Sequence, residues 1–194
     1  DDVCPIIDLP GDWETYLETQ LDKKQRHEVR RKLLKIEREA QSLRWHVVDG
    51  ASDLAGEMDA FIDLHRLSKR DKYDFMTPQM QRFFRHLTQA MHDAGWLYLA
   101  FLEINGDKAA AMLAFDYHSR LLVYNSGYDP GKYSDLSPGI VLTSYAIHHA
   151  IERGCRVFDF LQGNEVYKYR FGASDTLVYH TQISRSAALI PSAL

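Results

Sequence analysis

The sequence predicts an α/β (α+β) domain built on a mixed, mostly antiparallel sheet with helices on both faces. Three observations predict it. Residues 96–104 are almost continuously apolar, as in a strand buried on both sides. Asn105-Gly106 and His118-Ser119 then separate two further strand-like runs, at 108–117 and 120–127, which makes a three-stranded meander at the centre of a sheet. On either side of the meander the apolar period is helical. The order is therefore helices first, the meander, a crossover helix and two more strands.

Taken in order, Asp12 stands as an N-cap before a short helix over residues 12–20. Residues 21–44 predict a longer helix, with Val29, Leu33, Ile36 and Ala40 on one stripe. Its other faces are basic, carrying Lys23, Lys24, Arg26, Arg30, Arg31, Lys32, Lys35 and Arg38. A short strand is expected at 45–48. A helix follows from Ser52 to about Arg70, with Leu54, Met58, Phe61, Ile62 and His65 on one side. Pro78 opens the next helix at a position that needs no N–H; its inner face is Met80, Phe83, Phe84, Leu87 and Met91, and Gly95 ends it. After the meander, Ser137-Pro138-Gly139 leads into an apolar helix over 138–153. A strand at 156–161, a short helix at 165–171 and a last strand at 176–184 complete a single domain over 1–186, followed by a loose tail at 187–194.

The bulk numbers narrow the function classes. A chain of 194 residues fits one domain with a proper core. A net charge of -4 argues against a general nucleic-acid binder and leaves room for local basic patches. Cys4 and Cys155 lack metal-type spacing and read as free thiols of a reducing, cytoplasmic compartment. No apolar run reaches the ~18 residues of a membrane span, and no signal peptide is expected. The chain starts with Asp1 rather than Met, which suggests a domain cut from a longer protein. The nine histidines include one adjacent pair, His148-His149, which cannot share a helix face, so no metal is expected.

The chemistry concentrates between Arg120 and Gly172. A strand feeds a helix whose first turn offers backbone N–H groups, a ready anion site, and a second strand ends in a Tyr/Lys/Arg cluster beside it. The runs Tyr124-Asn125-Ser126-Gly127-Tyr128-Asp129-Pro130, Ser137-Pro138-Gly139-Ile140-Val141-Leu142 and Phe158-Asp159-Phe160-Leu161-Gln162-Gly163-Asn164-Glu165-Val166-Tyr167-Lys168-Tyr169-Arg170-Phe171-Gly172 resemble the GNAT acyltransferases. They are most similar to the branch found in cellulose and exopolysaccharide operons, which is related to the Fem-type peptidyltransferases. The basic stretch from Arg26 to Arg31 matches that branch as well.

The resemblance implies a GNAT sheet with a V-shaped splay between its central strands and an acyl-CoA donor such as acetyl-CoA. It also implies an amine acceptor on a small molecule, saccharide or peptide, a role in polysaccharide or cell-envelope biosynthesis, and a second GNAT-like half in the full-length protein. This chain departs from the superfamily in one respect. The two-glycine phosphate loop preceded by Arg or Gln is reduced to Ser137-Pro138-Gly139, and Pro138 has no N–H. That leaves open an aminoacyl-tRNA donor, as the Fem relatives use, or a catalytically silent binding module.

Each candidate residue has a functional and a structural reading. Ser137, Gly139, Ile140 and Val141 form either a pyrophosphate cradle or simply a well-capped helix start. Asn125, Ser126 and Gly127 either expose an N–H to the thioester carbonyl, with Gly127 marking a bulge, or merely end a strand. Tyr167 is the candidate acid for the leaving thiolate; Lys168 or Arg170 would stabilise an anion, and Tyr169 is given to packing. Asp159, between Phe158 and Phe160, is either the base for the attacking amine or a salt-bridge partner of an arginine such as Arg170. Glu165 is the second candidate base, or a favourable acid in a helix first turn. The basic helix over 23–38 either receives tRNA or another phosphate-rich ligand, or is a solvated face offset by Glu28, Glu37 and Glu39.

Overall fold

The chain is described by a computed structural model over residues 2–50, 53–181 and 183. Its elements run β1 (Asp2–Asp8), α1 (Trp13–Thr19), α2 (Lys23–Glu39), β2 (Leu43–Val47), α3 (Leu54–Ser68), α4 (Arg70–Phe75), α5 (Pro78–Asp93) and β3 (Leu97–Ile104). They continue with β4 (Asp107–Tyr117), β5 (Arg120–Tyr128), α6 (Pro138–Glu152), β6 (Val157–Asp159), α7 (Val166–Tyr169) and β7 (Ser174–Val178).

Both meander turns use positive φ at their central residues: 55° and 87° at Asn105 and Gly106, 50° and 59° at His118 and Ser119. That mirror-image turn matches the twist of the strands it joins. The sheet order is β2-β3-β4-β5-β6-β1-β7, antiparallel throughout except for β5 beside β6. The parallel pair is joined by α6, the crossover helix such a pair requires. It is short: Arg120, Leu121 and Leu122 face Val157, Phe158 and Asp159, and there β6 ends. β5 runs on to Tyr128, and among the described residues no strand pairs with it on that side. This is the splay.

Alternation along β3 divides the core. Tyr98, Ala100, Leu102 and Ile104 join the layer of α1, α2 and α6, whereas Leu99 and Phe101 join that of α3 and α5. β4 presents Ala109, Ala110, Ala111 and Ala114, small side chains that let helices approach both faces. Gly127 records the closest approach. A Cβ there would lie 2.4 Å from the backbone N of His65 and 2.5 Å from the carbonyl carbon of Leu64, so α3 rests directly on β5.

Several expectations need correction. The helix expected at 21–44 spans Lys23–Glu39, opened by a capping box in which Asp22 and Gln25 bond each other's backbone N–H. The helix expected to reach Arg70 stops at Ser68, because Lys69 is extended (φ -159°, ψ 154°); α4 then restarts at Arg70. Its expected start at Ser52 lies outside the described residues. Phe83, assigned to the inner face of α5, is 46% exposed, while Phe84 and Thr88 are buried. β1 has no counterpart in the expected elements, and it fills the place between β6 and β7. The last strand is Ser174–Val178, and the expected tail at 187–194 lies outside the described residues.

Candidate active site

Where β5 and β6 part, a cleft of about 700 Å³ opens. One wall is the unpaired edge of β5, from Val123 to Tyr128; another is the start of α6, from Ser137 to Thr143. Phe160, Leu161, Gln162, Glu165, Tyr167 and Lys168, which follow β6, form the third, and Ser68, Lys69 and Lys72 close the side of α3 and α4. A second hollow, of about 430 Å³ beside Trp45, Tyr98 and His149, holds none of the expected site residues.

The structure brings Ser126, Gly127, Ser137, Gly139, Ile140, Glu165, Tyr167 and Lys168 to the cleft. Asp159 and Val141 are not among the residues that line it. Asp159 is 7% exposed and its carboxylate is engaged at both oxygens: Arg120 Nη2 donates at 3.0 Å and the Leu161 N–H at 2.8 Å. A buried carboxylate needs such partners. Its arginine is Arg120 on the neighbouring strand rather than Arg170, which lies 3.8 Å from Glu28.

The start of α6 differs from the expected cap. Ser137 adopts a left-handed conformation (φ 55°, ψ 54°) and its side chain caps nothing; its Oγ accepts instead from Lys32 Nζ at 2.9 Å. Its carbonyl accepts from the N–H groups of both Ile140 and Val141, at 3.0 and 3.1 Å. With Pro138 lacking an N–H, Gly139 carries the first-turn N–H left over for a ligand, close to the Lys32 ammonium. Part of the basic helix is thereby explained. Lys32 and Lys35 tie α2 to the loop before α6, Lys35 through the Asp135 carbonyl at 3.0 Å. Arg30 pairs with Glu14, and Lys24, Arg31 and Arg38 remain exposed.

The bulge also falls elsewhere. The β4–β5 register shifts between Leu113 and Ala114, which leaves Tyr124 as the extra residue, whereas Gly127 stays in register opposite Ala111. The β5 edge beyond it is held by side chains. Asn125 Oδ1 accepts from the Ser126 N–H at 3.2 Å and from His65 Nε2 at 2.9 Å, which places that ring's proton on Nε2. Ser68 Oγ accepts from the Tyr128 N–H at 3.0 Å, and Lys72 Nζ donates to the Ser126 carbonyl.

Titratable groups gather around this edge. Burial, then the charge of Lys72, brings the His65 imidazole down to about 4, so it is neutral. Burial, then Lys69, brings the Lys72 ammonium down to about 8 against the pull of Glu165. Burial, then Glu165, pushes the Tyr167 phenol up to about 12. For Glu165, burial is the largest single influence and pushes upward, but the hydrogen bond and charge of Lys168, a backbone hydrogen bond and the charge of Lys69 together outweigh it and hold the carboxyl below its usual range. Lys168 is 3% exposed. Its Nζ donates to the carbonyls of Leu161, Gln162 and Gly163 at 3.3, 3.1 and 2.9 Å and pairs with Glu165 at 2.8 Å. With every proton committed, Lys168 shapes the turn that carries Glu165 and Tyr167. Sequence reasoning missed Lys72 and Ser68 and placed His65 only as a core residue. The signal was weak: helix residues reach the cleft only because α3 crosses β5 at Gly127.

Among the described residues, no group of three or more His, Cys, Asp or Glu is placed to hold a metal ion, and no helix is long and apolar enough to cross a membrane.

The family profile described as an acetyltransferase (GNAT) domain matches residues 23–169, and the chain belongs to that family. No curated protein sequence matches it. Among solved structures it is similar to FemX, at 12% identity and a TM-score of 0.68, covering 90% of this chain and 59% of that one. It is also similar to a conserved protein of unknown function from Bacteroides thetaiotaomicron, at 13% identity and a TM-score of 0.60, covering 88% and 55%. A third is the C-terminal domain of a putative lysylphosphatidylglycerol synthetase from Agrobacterium fabrum, at 12% identity and 0.55, covering 90% and 57%. The chain thus spans little more than half the length of these neighbours, and at such identities the likeness is one of fold. The branch found in cellulose and exopolysaccharide operons has no counterpart among these neighbours.

Proposed function

We propose that this domain transfers an acyl group from an acyl-CoA, acetyl-CoA in the simplest case, to an amine on a small molecule, saccharide or peptide. The acceptor would belong to polysaccharide or cell-envelope synthesis. The observation that carries the reading is the convergence, at one splayed pair of strands, of the β5 edge, the start of α6 and Tyr167. In this reading the phosphates lie at Gly139 and Lys32, and the thioester lies beside Ser126 and Gly127. The Ser126 N–H already holds a long bond to Asn125 Oδ1, 3.2 Å, which the donor's carbonyl replaces. Glu165, an exposed carboxylate at the cleft, takes the amine's proton through water. Tyr167 keeps its proton at neutral pH and gives it to the departing thiolate.

Thermal unfolding with and without acetyl-CoA tests the donor. At ~100 times its dissociation constant a ligand adds about 2.7 kcal/mol, a rise of roughly 5–10 °C for a domain of this size. A rise that requires the phosphopantetheine part supports the reading, and no rise with any acyl-CoA overturns it.

A second reading, a Fem-like transferase using an aminoacyl-tRNA, is favoured by the first turn of α6, where Ile140 and Val141 are already bonded to Ser137, and by the exposed Lys24, Arg31 and Arg38 on α2. It requires tRNA binding that weakens steeply with added salt.

A further inference from the structure

Lys72 lines the cleft, and the reaction above leaves it without a task. It stands on α4 and reaches Ser126 on the unpaired edge of β5. That is where the donor's carbonyl lies if the proposed function holds, and the inference rests on that reading. The groups facing Lys72 are Lys69 beside it, His65 on α3, and Glu165 and Tyr167 across the cleft.

We propose that Lys72 Nζ is itself an acyl acceptor: a thioester entering the cleft acylates the chain at this residue. One N–H of the amine is anchored to the Ser126 carbonyl. An sp3 nitrogen so anchored directs its lone pair away from that carbonyl, and the residue that carries it lines the cleft. In the step, the Nζ lone pair attacks the thioester carbon, the C–N bond forms and the C–S bond breaks. The thiolate leaves with the electron pair and takes up the proton that Nζ loses. The products are an Nζ-acyl-lysine and a free thiol, with no oxidant or reductant involved. The amide keeps its N–H on Ser126 but loses the charge and fills the cleft, so the modification limits the domain's own turnover.

The neutral amine is the reactive form. A lysine near 8 holds roughly two hundredfold more of it at pH 7 than one at the ordinary value of about 10.4. Glu165 opposes this and Lys69 and burial favour it. Lys69, which lines the same cleft, serves as the internal control.

The whole chain is incubated with S-acetyl-N-acetylcysteamine, a small thioester without a nucleotide, and in parallel with acetyl-CoA, between pH 6.5 and 9. Acetyl occupancy of each lysine is read by peptide mass spectrometry. The expected result is about tenfold greater occupancy at Lys72 than at Lys69 near pH 7.5, rising with pH to a plateau above 8. Lys72→Arg removes that signal without raising any other. Acetylation spread evenly over exposed lysines, or lowest at Lys72, overturns the proposal, and this comparison needs no variant to fold. The two readings fail separately. A thermal shift with acetyl-CoA but no mark at Lys72 sinks the inference and leaves the proposed function standing. A mark from the small thioester without any acyl-CoA shift upholds Lys72 as the acceptor and removes acyl-CoA as the donor.

Discussion

A single ammonium, that of Lys168, supplies three carbonyls and a carboxylate, and nothing else in the turn after β6 can replace it. Lys168→Met should therefore cost about 3 kcal/mol, since it leaves three part-buried carbonyls without their donor, while Glu165 can turn to water. At roughly 2–4 °C per kcal/mol, calorimetry should show the midpoint falling by about 6–12 °C. Tyr167 behaves differently. Among the described residues its hydroxyl has no hydrogen-bond partner, and its ring packs edge-on against Phe160, so Tyr167→Phe keeps the packing and loses the proton. Transfer should fall about a hundredfold with the melting temperature unchanged; equal loss of both would make it a structural residue. His65 sets a pH dependence. Its folded value of about 4 lies below the unfolded value near 6.5, so the unfolded chain binds the extra proton between those pH values. Stability rises with pH across that window and is lost as pH falls from about 6.5 towards 4. Urea midpoints at pH 7 and pH 4.5 should differ, and the difference should shrink in His65→Gln, which still donates to Asn125. An unchanged difference would place the dependence on other groups.

At the scale of elements, two changes test what fixes the helices. Gly127→Ala puts a methyl within 2.4 Å of backbone on α3, which cannot rotate aside as a side chain could. It should cost about 3 kcal/mol and lift α3 from β5, visible as a lower midpoint and as loss of protection at the Tyr128 amide, which Ser68 then no longer reaches. Asp22→Ala should cost about 1 kcal/mol through the capping box alone. The elements legible in the sequence were those that carry local instructions: the two hairpin turns with their positive-φ residues, the Pro78 start of α5, and α6 with its apolar faces. The missed ones are fixed from elsewhere. Residues 2–8 contain Pro5 and no clean alternation, and become β1 because β6 and β7 each leave it an edge to pair with. The break at Lys69 has neither Gly nor Pro to announce it. The site follows the same division. Ser126, Gly127, Glu165 and Tyr167 were legible because their strand and loop lead straight into the splay. Lys72 belongs to an element created by that unannounced break, and Asp159, legible as a buried carboxylate in want of an arginine, was matched with Arg170 instead of Arg120 because its partner strand was not known.

For the whole molecule, Asp159 matters through its pairing with Arg120. The sheet consists of two blocks, β2-β3-β4-β5 and β6-β1-β7, and the seam between them is three residues deep on each strand. The Arg120–Asp159 ion pair crosses that seam at 3.0 Å, and Asp159 also fixes the Leu161 N–H where the chain turns away toward the cleft. Removing the carboxylate leaves a buried N–H and one side of the seam unpaired. Because the Arg120 side chain is 42% exposed and can turn to water, the loss is smaller than for a fully buried pair, about 2 kcal/mol for Asp159→Ala. The loss should be distributed unevenly. β3 and β4 are flanked by strands on both sides and covered on both faces, so their amides should exchange only through global unfolding. β7, exposed along its whole length, and β1 and β6 beside it should open at lower cost. Hydrogen exchange on Asp159→Ala is then expected to speed up in β1, β6 and β7 well beyond the change in β3 and β4. If all strands accelerate together, the two blocks form one cooperative unit and the splay is not a line of weakness. If exchange is unchanged while transfer is lost, Asp159 acts on the chemistry after all, from outside the cleft.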